Sequence, residues 1–357
     1  MSELTAPLGE YFCELTNRRH HLFTGRATTA LYLILKQHSI TDRSVVIPAN
    51  ICYSIVNAIT LTGNRPVFVD VDSDSGNVRL DDLNGIDDSV AAVVAPHMYG
   101  NPCADIEAIA SLCQQRGALL IEDCALAIGA TLNGRSLGCF GDYTLFSFGS
   151  GKTIDATVGG LVVSNHSLGE IENLNLQLPE YSAELGRRTR LYSDLYRSIL
   201  HSGFYGDLAG AFGALNETFA PIYLYRLREQ DARQITDASA SMDDVCQGRR
   251  AIAGMYDDGI AWKNGAVERY QFADGATPWR YNLLIDDADM KKRIIAWLLG
   301  NQIGVSIWYP TIHRLFGDEG NYPNAARFAQ RIVNIPADVT ADQATRIATL
   351  INQQIAT

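Results

Sequence analysis

Four short apolar runs punctuate the first half of the chain: SVVIP at 44–48, PVFVDV at 66–71, AAVVAP at 91–96 and ALLIE at 118–122. They are too short for helices and show no polar alternation, which is the pattern of strands buried on both faces. Between them, the stretches 28–37, 51–62 and 104–116 carry helical spacing, the last closed by Gly117. Strands alternating with helices predict an α/β domain with a largely parallel sheet. Residues 133–165 break the rhythm with Gly-rich turns between short strand-like pieces, ending in GGLVVSN at 159–165. Residues 168–258 are mostly helical in pattern, with Tyr, Leu and Arg recurring. From about 265 the α/β rhythm returns, with strands expected at 279–285 and 304–308 and helices at 291–299 and 341–355. The expected organisation is a large domain over 1–245 and a smaller C-terminal α/β domain over 246–357. A chain of 357 residues is long for a single core.

Composition narrows the function. Hydrophobic residues make up 47% and charged residues 19%, as in an ordinary soluble protein. The formal net charge of −11, with scattered acids and no basic cluster, argues against nucleic acid as a partner. No apolar stretch is long enough to span a bilayer, so no membrane partner is expected. The first residues, MSELTAPLGEYFCELTNRRHH, lack the basic start and apolar core of a secretory leader. The seven cysteines (13, 52, 103, 113, 124, 139 and 246) form no C-x-x-C and no His-paired spacing, so no metal is expected. Reduced thiols and a cytoplasmic location are the expectation.

GSGKT at 149–153 imitates a phosphate loop, but the full pattern needs Gly six residues before the Lys, where Phe146 stands. The residues that follow read as turn and strand, not as the helix such a loop requires. Lysine is otherwise scarce (36, 152, 263, 291, 292), and Lys152 alone follows a strongly apolar run, YTLFSF, and a Gly-Ser-Gly turn. Lysines usually face solvent. Placed in an apolar site, however, a lysine has a lowered pKa and a free amine able to attack a carbonyl.

Asp123 favours the second reading. It ends the run ALLIED, and ligands of open α/β sheets bind beyond the carboxyl ends of strands. A carboxylate there needs a positive partner unless it caps the next turn. The protonated pyridine nitrogen of pyridoxal 5′-phosphate (PLP) would be one, with Lys152 as the Schiff-base lysine. The cofactor's phosphate needs N–H donors. TGRATTALYLIL at 24–35 enters a helix whose first turn could offer those of Ala27 and Thr28, with the Thr28 hydroxyl and Ser147 as further donors. Arg26 suits an anionic group of substrate or phosphate, with a plain surface charge as the alternative.

These pieces, in this order, resemble the DegT/StrS family of sugar aminotransferases, and the resemblance runs over nearly the whole chain. Its segments here are VVIPANICYSIVNAITLTGNRPVFVDVD at 45–72, PHMYGNPCADIEAI at 96–109 and IEDCALAIGATLNGRSLGCFGD at 121–142. FSFGSGK at 146–152, GGLVVSN and WYPTIH at 308–313 complete the series. The resemblance implies the type I PLP-enzyme fold: a large domain with a mostly parallel sheet plus a smaller C-terminal α/β domain. It implies Lys152 as Schiff-base lysine and proton shuttle, Asp123 as pyridinium partner, and Ala27, Thr28 and Ser147 as phosphate contacts. Tyr309 and His313 would lie at the mouth of the site. A homodimer is implied too, as is transfer of an amino group from glutamate or glutamine to a keto-sugar, nucleotide-linked in most relatives.

Several positions depart from the family pattern. The family's Ser-Gly-Thr is Arg26-Ala27-Thr28, and its ring-stacking aromatic is Cys52, with Tyr53 beside it as a substitute. Polar residues are replaced by Leu126, Ile128 and Val158, and an Asn-Tyr-Arg-Met loop reads Leu224-Tyr225-Arg226-Leu227. These changes keep two rivals in view: a PLP enzyme acting on a carbocyclic or amino-acid-like acceptor, and a catalytically silent PLP-fold binding protein. Sugar deoxygenation, the third chemistry of this superfamily, goes with histidine in place of the lysine, and Lys152 argues against it.

Overall fold

The computed structural model describes residues 2–85, 87, 89–202, 215, 218, 220–262 and 266–356. Part of the expected helical stretch (203–214, 216, 217 and 219) and Lys263 lie outside the described residues.

The apolar runs form a seven-stranded sheet. Its strands are β1 (His20–Thr24), β2 (Ser44–Pro48), β3 (Arg65–Val69), β4 (Val90–Pro96), β5 (Leu119–Asp123), β8 (Tyr143–Ser147) and β9 (Gly160–Ser164). A two-stranded hairpin, β6 (Thr131–Leu132) and β7 (Arg135–Ser136), intervenes between β5 and β8. The sheet order is β1-β9-β8-β5-β4-β2-β3. Every neighbouring pair from β8 to β3 is parallel, and β9 alone runs against its neighbours. The mostly parallel α/β sheet expected from the sequence is present. β2, β4, β8 and β9 are buried at every position, because helices cover both faces. Before the sheet runs α1 (Ser2–Thr16), and within it α2 (Ala27–Gln37), α3 (Tyr53–Leu61) and α4 (Ile106–Arg116) connect strands.

The register places the chemistry. Pro96 pairs with Asp123, and Asp123 with Leu145, so β4, β5 and β8 end at the same edge. Ser147 and Thr24 both pair with Gly160, which brings the ends of β8 and β1 and the start of β9 to that edge as well. Gly160 is required there: a Cβ on it would lie 2.3 Å from the Ala27 nitrogen. Without a side chain, β9 can lie against the turn that opens α2.

The C-terminal part forms its own small antiparallel sheet, ordered β10 (Val267–Arg269), β11 (Tyr281–Ile285), β12 (Ile332–Ile335). Helices Ala288–Gly300 and Ala341–Ile355 pack on it through Ile294, Leu298, Ile347 and Ile351. Helix Met242–Gly259 serves both cores. Its Met242 and Cys246 pack with Phe146 and Phe148, while its Ile252 and Tyr256 pack under the small sheet.

The strand expected at 304–308 does not form. Only Ser306 bridges to Asn334, and the Trp308 N–H is taken by the Asn334 Oδ1 at 2.8 Å. Pro310 lacks the N–H a ladder would use, and the chain turns away to carry Trp308 and Tyr309 to the large sheet's carboxyl edge. Among the described residues, no helix is long and apolar enough to cross a membrane.

Candidate active site

The carboxyl edge of the large sheet holds two adjoining chambers. The inner one is lined by Asp123 from β5, Ser147 from β8, Lys152, Ala27 and Thr28 from α2, and Ser54 from α3, among others. The outer one is lined by Tyr53, Ser193, Tyr196, Arg197, Arg280 and Trp308, among others. Arg26, Cys52, Ser150, Lys152 and Tyr309 border both. The fold thus gathers nine of the ten residues singled out in the sequence. His313 is the exception. It is buried between Tyr322 and Phe68, at ring distances of 4.8 and 6.3 Å, and lines neither chamber.

Lys152 and Asp123 share the inner chamber, and both are short of partners. Among the described residues, Lys152 has no salt bridge and no hydrogen bond from its amine. Burial pushes its pKa down, with Cys52 and Asp123 pulling back up and the Arg26 charge lowering it further. Among the described residues, Asp123 accepts a single hydrogen bond, from the Ala125 N–H at 2.9 Å. Burial raises its pKa, against the opposing pull of that N–H, Lys152 and His97. This is a carboxylate lacking a cation and an amine lacking an anion, in one cavity.

Two helices begin at the same place. The residues before α2 and α3, Arg26 and Cys52, have extended backbones and make no side-chain cap. The Ile55 N–H is taken by the Cys52 carbonyl at 3.0 Å, while the other first-turn N–H groups have no side-chain acceptor and are available to an anion. The Thr28 hydroxyl donates to the Ser54 hydroxyl at 3.0 Å, and Cys52 Sγ lies 3.2 Å from that same oxygen. Ser147 Oγ accepts from the Gly149 N–H at 3.4 Å. Arg26 lies over the Tyr223 ring, 5.0 Å from its centroid, and among the described residues no carboxylate pairs with it. Tyr53 turns to the outer side, where its ring centroid lies 3.9 Å from that of Tyr196, so Cys52 and not Tyr53 faces the inner chamber. The Tyr309 N–H donates to the Tyr99 hydroxyl at 3.2 Å, which fixes the segment between the chambers.

Beneath this floor lies an arrangement to which sequence reasoning gave no role. Glu122 is fully buried, one residue before Asp123. Its Oε1 accepts from the Gly138 N–H at 2.6 Å, and its Oε2 from Phe140 and Gly141 at 2.8 and 2.9 Å. His97 Nε2 lies 2.9 Å from Oε1. The Cys103 N–H donates to His97 Nδ1 at 2.9 Å, which leaves Nε2 as the nitrogen that donates to Glu122. Burial alone would raise the Glu122 pKa, but His97 and the backbone donors hold it below the ordinary range. His97 also lines the inner chamber. The neighbouring carboxylates have opposite assignments: Glu122 points down into the protein, saturated, and Asp123 up into the cavity. The period-two alternation of a strand was the available signal.

The departures from the family pattern are apolar packing positions. Leu126 and Val158 line the inner chamber, and Leu126 packs with Met98, Tyr99 and Trp279. Ile128 is buried against the aromatic cluster of Phe12, Phe146 and Phe148 and does not reach the cavity.

A half-buried amine, a buried carboxylate and two helix starts meet at the carboxyl edge of a mostly parallel sheet, where α/β enzymes bind their ligands. The chain belongs to the DegT/DnrJ/EryC1/StrS aminotransferase family, whose profile matches residues 3–352. It is 37% identical over 351 residues to GDP-perosamine synthase of Escherichia coli O157:H7, covering 96% of this chain and 87% of that protein. Its fold matches PseC of Helicobacter pylori, an aminotransferase of pseudoaminic acid biosynthesis, with a TM-score of 0.79 at 19% identity, over 99% of this chain and 91% of that one. GDP-4-keto-6-deoxy-D-mannose-3-dehydratase of E. coli, solved with hydrated PLP, matches with a TM-score of 0.75 at 16% identity, over 98% of this chain and 92% of that one.

Proposed function

We propose that this aminotransferase uses PLP, held on Lys152, to move an amino group from glutamate or glutamine to the keto carbon of a nucleotide-linked sugar. The observation that carries the reading is the unpaired Lys152 amine and the unpaired Asp123 carboxylate on one cavity. The residues present fit the cofactor. It needs an amine for its aldehyde, a carboxylate for its ring nitrogen and N–H donors for its phosphate, and the inner chamber has all three. When bound, the cofactor supplies an electron sink that acidifies the donor's Cα–H bond.

The protein's own groups do the rest. Lys152, whose pKa is lowered by burial, gives up its proton more readily than an exposed lysine, which suits it to take a proton from one carbon and return it to another. Asp123, desolvated and without a cation of its own, holds a positive charge at the end of β5. The open N–H groups of Ala27 and Thr28, with the Thr28 and Ser147 hydroxyls, bind phosphate. Met98, Leu126 and Tyr309 keep water from the inner chamber. The outer chamber, with its arginines and aromatic rings, receives the acceptor. The nucleotide-linked sugar is supported by relatives such as the GDP-perosamine synthase. A homodimer and a cytoplasmic location belong to the same reading, and sedimentation velocity tests the first.

The deciding experiment is the absorption spectrum of the purified protein, with and without L-glutamate, beside Lys152→Ala. A visible Schiff-base band that glutamate or glutamine converts, and that the variant alters, is the expected result. No band after PLP is supplied would overturn the proposal.

A further inference from the structure

Resting on the proposed PLP chemistry, we infer that Arg26 is the residue that binds the α-carboxylate of the amino-acid donor. Three observations converge on it. Arg26 borders both chambers, beside Lys152, so its charge sits where donor and cofactor meet. Among the described residues it has no carboxylate partner, and a half-buried arginine without one has capacity for an anion. It is held in place by aromatic neighbours, with its guanidinium over the Tyr223 ring at 5.0 Å. The guanidinium also hydrogen-bonds the Tyr225 side chain, and the rest of the planar fork is left for a carboxylate.

Which anion it takes follows from reach. The cofactor phosphate is already provided with the backbone N–H groups of Ala27 and Thr28 and two hydroxyls. The phosphates of a nucleotide-linked sugar are separated from the keto carbon by the sugar ring. Arg197 and Arg280, which line only the outer chamber, stand on that side. An α-carboxylate is one bond from the carbon that must meet Lys152. Arg26, whose charge is felt by the Lys152 amine, is on the donor's side of the reaction.

The test compares three donors on the PLP-loaded protein: L-glutamate, L-glutamine (γ-charge removed) and L-isoglutamine (α-charge removed). The readouts are the half-saturating donor concentration for conversion of the visible band and, separately, PLP affinity by equilibrium dialysis. In the wild type, isoglutamine should be weaker than glutamate by roughly 10- to 1,000-fold, the range of one or two charge-assisted hydrogen bonds. Arg26→Gln should weaken glutamate by a similar factor and erase its advantage over isoglutamine. It should leave PLP affinity within about threefold, since no cofactor contact is lost. Arg26→Lys should recover part of the glutamate binding.

Isoglutamine equal to glutamate in the wild type overturns the inference without any variant. So does an Arg26→Gln protein that loses PLP while its donor preference is kept, which would make Arg26 a phosphate ligand. A wild type that shows no band with PLP fails at the earlier step and is recognised before the donors are compared.

Discussion

Glu122→Gln is the substitution whose cost the structure lets one work out most fully. Among the described residues the carboxylate accepts four N–H hydrogen bonds, two on each oxygen, from Gly138, Phe140, Gly141 and His97, and the Cys124 thiol adds a longer contact to Oε1 at 3.9 Å. A glutamine replaces one of those oxygens with an NH2 group, which then faces two donors. If it replaces Oε2, the N–H groups of Phe140 and Gly141 lose their acceptor. If it replaces Oε1, Gly138 and His97 lose theirs, and His97 cannot adapt because Cys103 holds its other nitrogen as an acceptor. Two buried donors left unsatisfied cost roughly 2–6 kcal/mol, and relief from burying a charge returns part of it. The expected loss is about 3 kcal/mol, a substantial share of the roughly 5–15 kcal/mol of a typical protein.

Urea unfolding monitored by fluorescence should show a lower midpoint. Native-state hydrogen exchange at Gly138, Phe140 and Gly141 should speed up about 100-fold, at roughly 1.4 kcal/mol per tenfold. The pH dependence has a definite sign. The folded protein holds Glu122 below its ordinary pKa. Its contribution is therefore complete above the unfolded value of about 4.3 and is lost as the pH falls through the folded one. The gap between wild type and variant should narrow below about pH 4. An unchanged midpoint with unchanged exchange at these three amides would refute the reasoning.

Two further substitutions test the site. Asp123→Asn keeps the shape but removes the charge that faces the cavity. It should slow the glutamate-dependent half-reaction by ~100- to 1,000-fold, while PLP still binds. Stopped-flow spectroscopy measures it, and an unchanged rate would remove Asp123 from its role. Gly160→Ala places a Cβ 2.3 Å from the Ala27 nitrogen, so strand and helix start must move apart. It should cost about 1–3 kcal/mol of stability and weaken PLP retention. Normal retention in equilibrium dialysis would mean that β9 does not set the phosphate site.

The sequence by itself determined the sheet and singled out Lys152 and Asp123, which the fold brings to one cavity. A buried parallel strand has one composition, so runs such as SVVIP and AAVVAP were readable without their neighbours. Lys152 and Asp123 were readable because each breaks a local rule: a scarce cation after an apolar run, and a carboxylate at the end of a strand. What lies between segments far apart in sequence was decided only by the tertiary structure. The phrase WYPTIH looks continuous, yet the fold sends Tyr309 to the cavity and turns His313 into packing against Phe68 and Tyr322. The residues 304–308 have a strand's composition, but a strand exists only where a partner offers its ladder, and Asn334 offers a single bridge. The division of labour between Glu122 and Asp123 also needed the fold. Adjacent carboxylates on a strand point to opposite faces, and only the packed loop at 138–141 shows which face supplies hydrogen bonds and which is left open for chemistry. Arg26 became distinctive for the same reason, since lacking a counter-ion is a property of its three-dimensional surroundings and not of the sequence around it.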